Sequence, residues 1–270
     1  MDKNLITRAI TGAVYVLAAM GCTLYGEVPL AIFSAVIAVF CLREFYPLCG
    51  LNHKGNIFFM IIGVLLMASF FGISILFEES NPAYETGFLI AALGVGWVYY
   101  VLQKSMQIQH VALYILGWFY ILLPMFLFYK TSTLTGEYNG TDMLMVFVLL
   151  WSTDTFAYLV GRKLGKHKLA PGISPGKSIE GLIGGLVGSL LVAAAFFYAQ
   201  NEQSLAFYLG AALVISVFGV LGDLMESKIK RQAGVKDSGN LLPGHGGFLD
   251  RFDSMLLAAP AYYIYCRYIL

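Results

Sequence analysis

The sequence predicts an all-α membrane protein, a polytopic helical bundle of about nine transmembrane helices with a cytoplasmic N-terminus. Three observations predict it. Hydrophobic residues make up 59% of the 270 positions and charged residues only 12%, with a mean hydropathy of +0.74, whereas a soluble domain carries roughly a quarter charged residues. Apolar runs close to the length of about 17 to 25 residues that crosses hydrocarbon recur along the whole chain. When those runs are threaded back and forth from a cytoplasmic N-terminus, all of the 17 basic residues except Lys130 and Arg267 fall on one side, as cytoplasmic retention of Lys and Arg requires.

The runs are Ile10 to Tyr25, Val28 to Leu42, Ile57 to Phe77, Gly87 to Leu102, Val111 to Tyr129, Met143 to Val160, Gly181 to Ala199, Leu205 to Leu221 and Ser254 to Leu270. Each is apolar over its full circumference, as expected of a helix bathed in lipid on one side and protein on the other. Strands are not favoured. Lys3 and Arg8 precede the first run without an A-x-A-like cleavage site after it, so a retained first helix is expected over a secretory signal. The short outer loops hold Glu27, Glu78, Glu79, Glu85, Glu137 and Asp142, while Lys54 and Lys104 fall in inner ones. Cys22, Cys41, Cys49 and Cys266 show no CxxC pairing and lie in or beside apolar runs, which reads as buried small hydrophobes.

This divides the chain into N-terminal transmembrane helices, residues 1–140, and a C-terminal catalytic region, residues 141–270. The latter carries two long cytoplasmic loops, 161–180 and 222–253. Long loops in a compact bundle concentrate function, and these two hold most of the clustered charge.

The second loop interleaves Asp223, Glu226, Asp237, Asp250 and Asp253 with Lys228, Lys230, Arg231, Lys236 and Arg251, among several glycines. Residues i and i+3 of a helix share a face, so Asp250 and Asp253 are expected to converge on one ion with Asp223. Hard oxygen ligands of this kind suit Mg²⁺, which binds through one or two carboxylates plus substrate phosphates. Glycines let backbone N–H groups approach phosphates. Taken singly, each acid also reads as a helix cap meeting water; the combination points to a metal and polyphosphate site.

Asp154 stands inside the sixth apolar run, where a carboxylate is costly and is a functional candidate by default. The first loop sets Arg162, Lys163, Lys166, Lys168 and Lys177, with His167, against Glu180 alone. That charge satisfies the positive-inside rule and anionic lipid heads; facing the acidic loop, it reads as a phosphate clamp, with Asp154 between the two. Gly176-Lys177-Ser178 does not complete a P-loop, because Pro171 stands where that motif needs Gly. Gly181, Gly184, Gly185 and Gly188 give overlapping GxxxG spacings that predict close helix packing, within the chain or with a second copy.

The run Ser227-x-Ile229-Lys230-Arg231, Lys236-Asp237, Gly239, Pro243, His245-Gly246-Gly247, Asp250-Arg251-x-Asp253 resembles the whole signature of phosphatidate cytidylyltransferases. Upstream, Asp154 with Ala157-Tyr158, Gly161-Arg162, Gly165-Lys166-His167 and Ile173-Ser174-Pro175 is similar to that family's second block, and Arg43-Glu44-Phe45 to an early segment. Gly176 departs from the Lys the family commonly has after Ser-Pro. The resemblance implies transfer of a cytidylyl group from CTP to phosphatidic acid, giving CDP-diacylglycerol and pyrophosphate in phospholipid biosynthesis. It implies Mg²⁺ with room for a second cation, a bacterial inner-membrane location, an active site facing the cytoplasm and a possible homodimer, with no nucleic-acid partner. The roles expected are Asp223, Asp250 and Asp253 around metal, joined in catalysis by Lys228, Arg251 and Asp154. Lys166, His167, Ser174, Lys177, Ser227, Lys230, Arg231, Lys236, Asp237, His245, Gly246 and Gly247 are expected on substrate. Two rivals are a CTP-dependent lipid-alcohol kinase, which would release CDP, and an ion-coupled transporter, which would need sites near midplane between repeats that this sequence lacks.

Overall fold

A computed structural model of the chain describes residues 3–51, 55–76, 82–103, 106–200, 202–242, 244 and 246–269. Lys54, Glu78, Glu79, Lys104, Pro243 and His245 lie outside the described residues. The protein is an all-α membrane protein. Its helices are α1 (Lys3–Tyr25), α2 (Glu27–Leu48), α3 (Gly55–Leu76), α4 (Pro82–Leu102), α5 (Ile108–Gly117), α6 (Leu123–Thr131), α7 (Gly140–Leu164), α8 (Ile179–Gln200), α9 (Leu205–Gln232) and α10 (Leu249–Ile269). Among the described residues, six helical segments are long and apolar enough to cross a membrane: α2, α3, α5 through α6, α7, α8 and α9. Over its described residues each of the nine apolar runs lies in helix; α1 and α4 have shorter apolar stretches, and α10 is not among the segments apolar enough to cross.

The fifth run is a single rod with a π-helical turn, Trp118–Leu122, between α5 and α6. Pro124 accounts for it: proline has no N–H to give the carbonyl four residues back and its ring crowds that carbonyl, so the helix widens locally.

The chain forms two compact units. The first comprises Met1–Tyr129 with Asp237–Leu249. Its centre is aromatic: Phe59 stacks on Tyr114 with centroids 4.1 Å apart, Tyr46 meets Tyr114 edge-on at 4.9 Å, and Trp118 donates its indole N–H to the Phe59 carbonyl at 3.2 Å. Buried aromatic N–H groups need such partners where no water reaches them.

The second unit comprises Lys130–Lys236 with Asp250–Leu270. Here the glycine spacing finds its partner, which is α7 of the same chain. Gly185 lies against the Thr153 carbonyl and Gly181 against the Ala157 carbonyl, where a Cβ would approach either oxygen to 2.8 Å. The backbones therefore touch, as small-residue interfaces permit. A buried chain of hydroxyls locks α7, α8 and α9 together: Ser216 donates to Ser189 at 2.7 Å and lies 2.8 Å from Thr153.

Two expectations need correction. The segment 161–180 is not an irregular loop: α7 continues to Leu164, and β1 (Lys168–Ala170) pairs antiparallel with β2 (Ser174–Ser178), Lys168 opposite Ser178 and Ala170 opposite Ser174. Polar residues there satisfy their backbone by pairing with each other, a two-strand solution invisible to a hydropathy count. Likewise 222–253 is not loop from its start, because α9 runs unbroken through Asp223 to Gln232. Alternating charge carries a helix past the end of its apolar stretch when i,i+4 pairs such as Glu226 and Lys230 support it.

Candidate active site

The site grows from the join between the hairpin and α8. Ser178 ends β2 and caps α8, its Oγ accepting the Gly181 N–H at 3.1 Å, which satisfies one of the orphan donors of a helix start. Glu180 reaches back to accept the N–H groups of Lys166 at 3.1 Å and His167 at 3.2 Å. The His167 ring turns to the same carboxylate, Nδ1 to Oε1 2.6 Å. The base of the hairpin is thus fixed to the helix that follows it.

That fixed geometry aims Lys177 inward. A cavity of about 390 Å³ opens between α7, β2, α8 and α9, with Asp154, Arg162, Ser174 and Lys177 on its polar side and Ala157 and Val220 among its apolar walls. Lys177 forms an ion pair with Asp223 of α9, and Ser227, one turn further along α9, donates to Asp223 Oδ1 at 3.2 Å. Asp154 feels Asp223 as a like charge and Lys177 and Arg251 as opposing ones. Asp253 feels Asp223, Glu226 and Asp154. Asp154, Asp223 and Asp253 therefore share one electrostatic neighbourhood with Lys177 and Arg251. Clustered carboxylates repel one another and are eased by nearby cations.

Next to it lies a buried triad. Lys230 Nζ sits 2.5 Å from Glu226 Oε2 and 2.6 Å from Asp250 Oδ1, with Glu226 wholly buried and the Asp250 side chain 6% exposed. Lys230 thereby ties α9 to the first turn of α10. Arg231 instead points outward, its Nε donating to the Ile173 carbonyl of the hairpin turn at 3.3 Å and Nη1 to the Val235 carbonyl at 3.0 Å. Lys166, Lys228, Lys236, Asp237 and Arg251 are exposed.

The expected three-carboxylate metal centre is not assembled: among the described residues no group of three Asp, Glu, His or Cys side chains is placed to hold a metal ion. Local partners are the reason. Asp250 is turned to Lys230, Asp253 Oδ1 accepts the N–H of Ser254 at 2.6 Å, and Asp223 is on Lys177. The i,i+3 spacing put Asp250 and Asp253 near one helix face, but each found a different neighbour.

Of the signature residues in the first unit, Asp237 begins the segment and Gly246 and Gly247 follow its tip. Leu242 N–H donates to the Gly246 carbonyl at 2.9 Å, and Gly244 and Gly246 have φ of +76° and +82°, which side chains rarely adopt. Sequence reasoning did not single out Ser178; it placed Arg162 in the phosphate clamp and Glu226 among the acids of the second loop without giving either a role of its own. The spacing of Glu226 four residues before Lys230 was the available signal for the last.

With this geometry in place, the comparisons are specific. A model described as "Cytidylyltransferase family" matches residues 6–269. The chain belongs to the cytidylyltransferase family. The chain is 36% identical over 258 residues to the phosphatidate cytidylyltransferase of Staphylococcus aureus strain COL, an alignment covering 94% of this chain and 95% of the relative. To the phosphatidate cytidylyltransferase of Bacillus subtilis strain 168 it is 36% identical over 261 residues, 95% of each chain. To that of Staphylococcus epidermidis strain ATCC 12228 it is 34% identical over 258 residues, 94% of this chain and 95% of the relative. As a member of that family the protein is a nucleotidyltransferase.

Proposed function

We propose that the protein transfers the cytidylyl group of CTP to phosphatidic acid, giving CDP-diacylglycerol and pyrophosphate, from a site on the cytoplasmic side of a bacterial inner membrane. The observation that carries this reading is the Lys177–Asp223 ion pair at the edge of the cavity. It brings a cation two residues past the upstream block onto a carboxylate one helical turn before the C-terminal signature, 46 positions later in the numbering. The family model matches nearly the full length of the chain, residues 6–269.

A phosphate monoester has its second pKa near about 6, so the attacking lipid phosphate is already ionised at neutral pH and needs no strong base. A phosphatidate oxygen forms a bond to the α-phosphorus of CTP while the bond to the β-phosphate bridge breaks, and that electron pair leaves with pyrophosphate. The obstacle is repulsion between anions. Lys177 and Arg162 on the cavity wall, with the Ser174 hydroxyl, bind and orient phosphate oxygens there, and Arg251 adds charge nearby. Lys166, His167, Lys228, Arg231, Lys236, Asp237, His245, Gly246 and Gly247 are assigned to the substrates through the signature. Asp223, Asp253 and Asp154 offer the donor chemistry of a divalent-cation site, hard and mutually repelling carboxylate oxygens with a single lysine pairing one of them; they do not by themselves form a three-ligand cage, so they would hold the ion together with substrate phosphates. Mg²⁺ held there would supply charge neutralisation of the triphosphate and the departing pyrophosphate.

The same reading includes nine membrane spans, a cytoplasmic N-terminus and the split into residues 1–140 and 141–270, on the strength of the basic-residue asymmetry. Purified protein given phosphatidic acid and Mg²⁺ with CTP labelled at the α-phosphorus should yield label extractable into organic solvent, while label at the γ-phosphorus should appear in pyrophosphate. Lipid labelled from the γ-position would overturn cytidylyl transfer and indicate a CTP-dependent kinase.

A further inference from the structure

Glu44 has no part in the scheme above, yet it is a charged residue only 5% exposed, in a helix whose other charged residues are Glu27 and Arg43. It stands in α2, and among the described residues Ser238, Gly239, Gly247 and Leu249 of the glycine-rich segment between Lys236 and Asp250 meet its carboxylate. Oε2 accepts the Ser238 hydroxyl at 2.9 Å and the backbone N–H of Leu249 at 2.9 Å. Gly239 and Gly247 press against the same carboxylate so closely that a Cβ on either would overlap it. One turn earlier on α2, Phe40 stacks on Phe248 with centroids 4.6 Å apart and planes 15° from parallel. Residues 238, 239, 247, 248 and 249 are thus gathered around one α2 face, leaving the tip at Gly244 turned outward.

Leu249 is the first residue of α10. Its N–H is one of the donors a helix start leaves without an internal partner, and a carboxylate is the acceptor that best answers both the donor and the helix dipole. Glu44 therefore acts as a helix cap delivered from another helix, about two hundred residues away in sequence. Asp250 follows directly, so the residue at which α10 begins determines where the signature carboxylates Asp250 and Asp253 fall on that helix.

We propose that Glu44 is the positioning residue of the signature segment: its buried carboxylate gathers Ser238, Gly239, Gly247 and Leu249 and fixes the start of α10. This rests on the reading that the segment serves cytidylyl transfer. It accounts for two glycines by steric need, which is a different demand from the phosphate approach expected of them. It also separates acceptor from charge, since what the contacts use is an oxygen that accepts.

The test compares Glu44→Gln, which keeps an accepting oxygen, with Glu44→Leu, which keeps volume without one, in the full chain purified in detergent. Glu44→Leu is expected to lower cytidylyl transfer at least about tenfold and to speed amide exchange of residues 237–249 at least about tenfold, the loss of two hydrogen bonds. Glu44→Gln is expected to stay within about threefold on both readouts. Ser238→Ala, which removes one donor to Glu44, and Gly247→Ala, which crowds the carboxylate, are expected to raise exchange in that same segment if Glu44→Leu does not accumulate. Wild-type exchange in Glu44→Leu, or in both of these variants when Glu44→Leu is not obtained, overturns the proposal. So does a Glu44→Gln protein as inactive as Glu44→Leu while its segment stays protected, which would make the charge itself the requirement. Amide exchange is independent of catalysis, so a wild-type protein that makes no cytidine lipid refutes the functional reading while leaving the Glu44 test intact.

Discussion

Replacing Lys230 with methionine would leave two carboxylates facing one another with nothing between them. Glu226 is completely buried, the Asp250 side chain is 6% exposed and Lys230 itself only 10%, so water cannot take the place of the ammonium. Breaking a buried pair by removing one partner costs about 3–5 kcal/mol, because the remaining charge stays unpaired. At about 2–4 °C per kcal/mol for a unit of this size, the melting temperature in detergent should fall by roughly 6 to 20 °C. The contrast lies with Glu226→Gln, which removes the surplus negative charge while sparing the 2.6 Å contact between Lys230 and Asp250. That variant should lie within about 1 kcal/mol of wild type, since a buried ion adds little once its desolvation is counted. Combining Lys230→Met with Glu226→Gln and Asp250→Asn should recover much of the loss, the cluster being neutral again. Thermal unfolding of the three variants, followed by size-exclusion fluorescence at fixed detergent, reads the order directly. A Lys230→Met protein that melts with the wild type would mean that the triad is hydrated and that Lys230 is not what joins α9 to α10.

The remaining predictions concern the site and its sidedness. Asp223→Asn and Asp253→Asn should each lower cytidylyl transfer at least about 100-fold while the protein still inserts, the scale on which removing charge stabilisation acts; near-normal turnover in both would displace the proposed metal site. Lys177→Ala, which strips Asp223 of its ion pair and the cavity of its lysine, should lower transfer more than Lys166→Ala, whose backbone N–H to Glu180 survives the change. Equal and unaltered kinetics over a range of both substrates would reduce the basic segment to a topology signal. A cysteine placed at Gln232 should resist an impermeant thiol reagent on intact cells and react once the membrane is opened. Cys41 and Cys266 are buried and burial pushes the Cys49 thiol up to about 11, so the background to subtract is that of half-buried Cys22; ready labelling from outside would invert the topology.

Much of this protein is determined by its sequence alone, and the reason is solvent. In hydrocarbon every backbone group must be satisfied within its own segment, so a run such as Leu205 to Leu221 has no alternative to helix, and its existence is legible without knowing its neighbours. The same holds for the signature, whose residues are recognisable as a string. Tertiary structure alone decided where charges went once the apolar rule no longer applied. Asp250 and Asp253 share a spacing but not a partner, because Lys230 reaches one and the start of α10 occupies the other. The polar stretch after Leu164 closed into a hairpin, since its backbone paired with itself. The glycines of α8 announced a close contact, but only the fold named α7 as the other side. Glu44 is the sharpest case: nothing within four residues of it explains a carboxylate in α2, and its reason lies at Ser238 and Leu249. Periodicity and hydropathy are local quantities, while the pairing of buried charge is set by whichever segments the chain brings together.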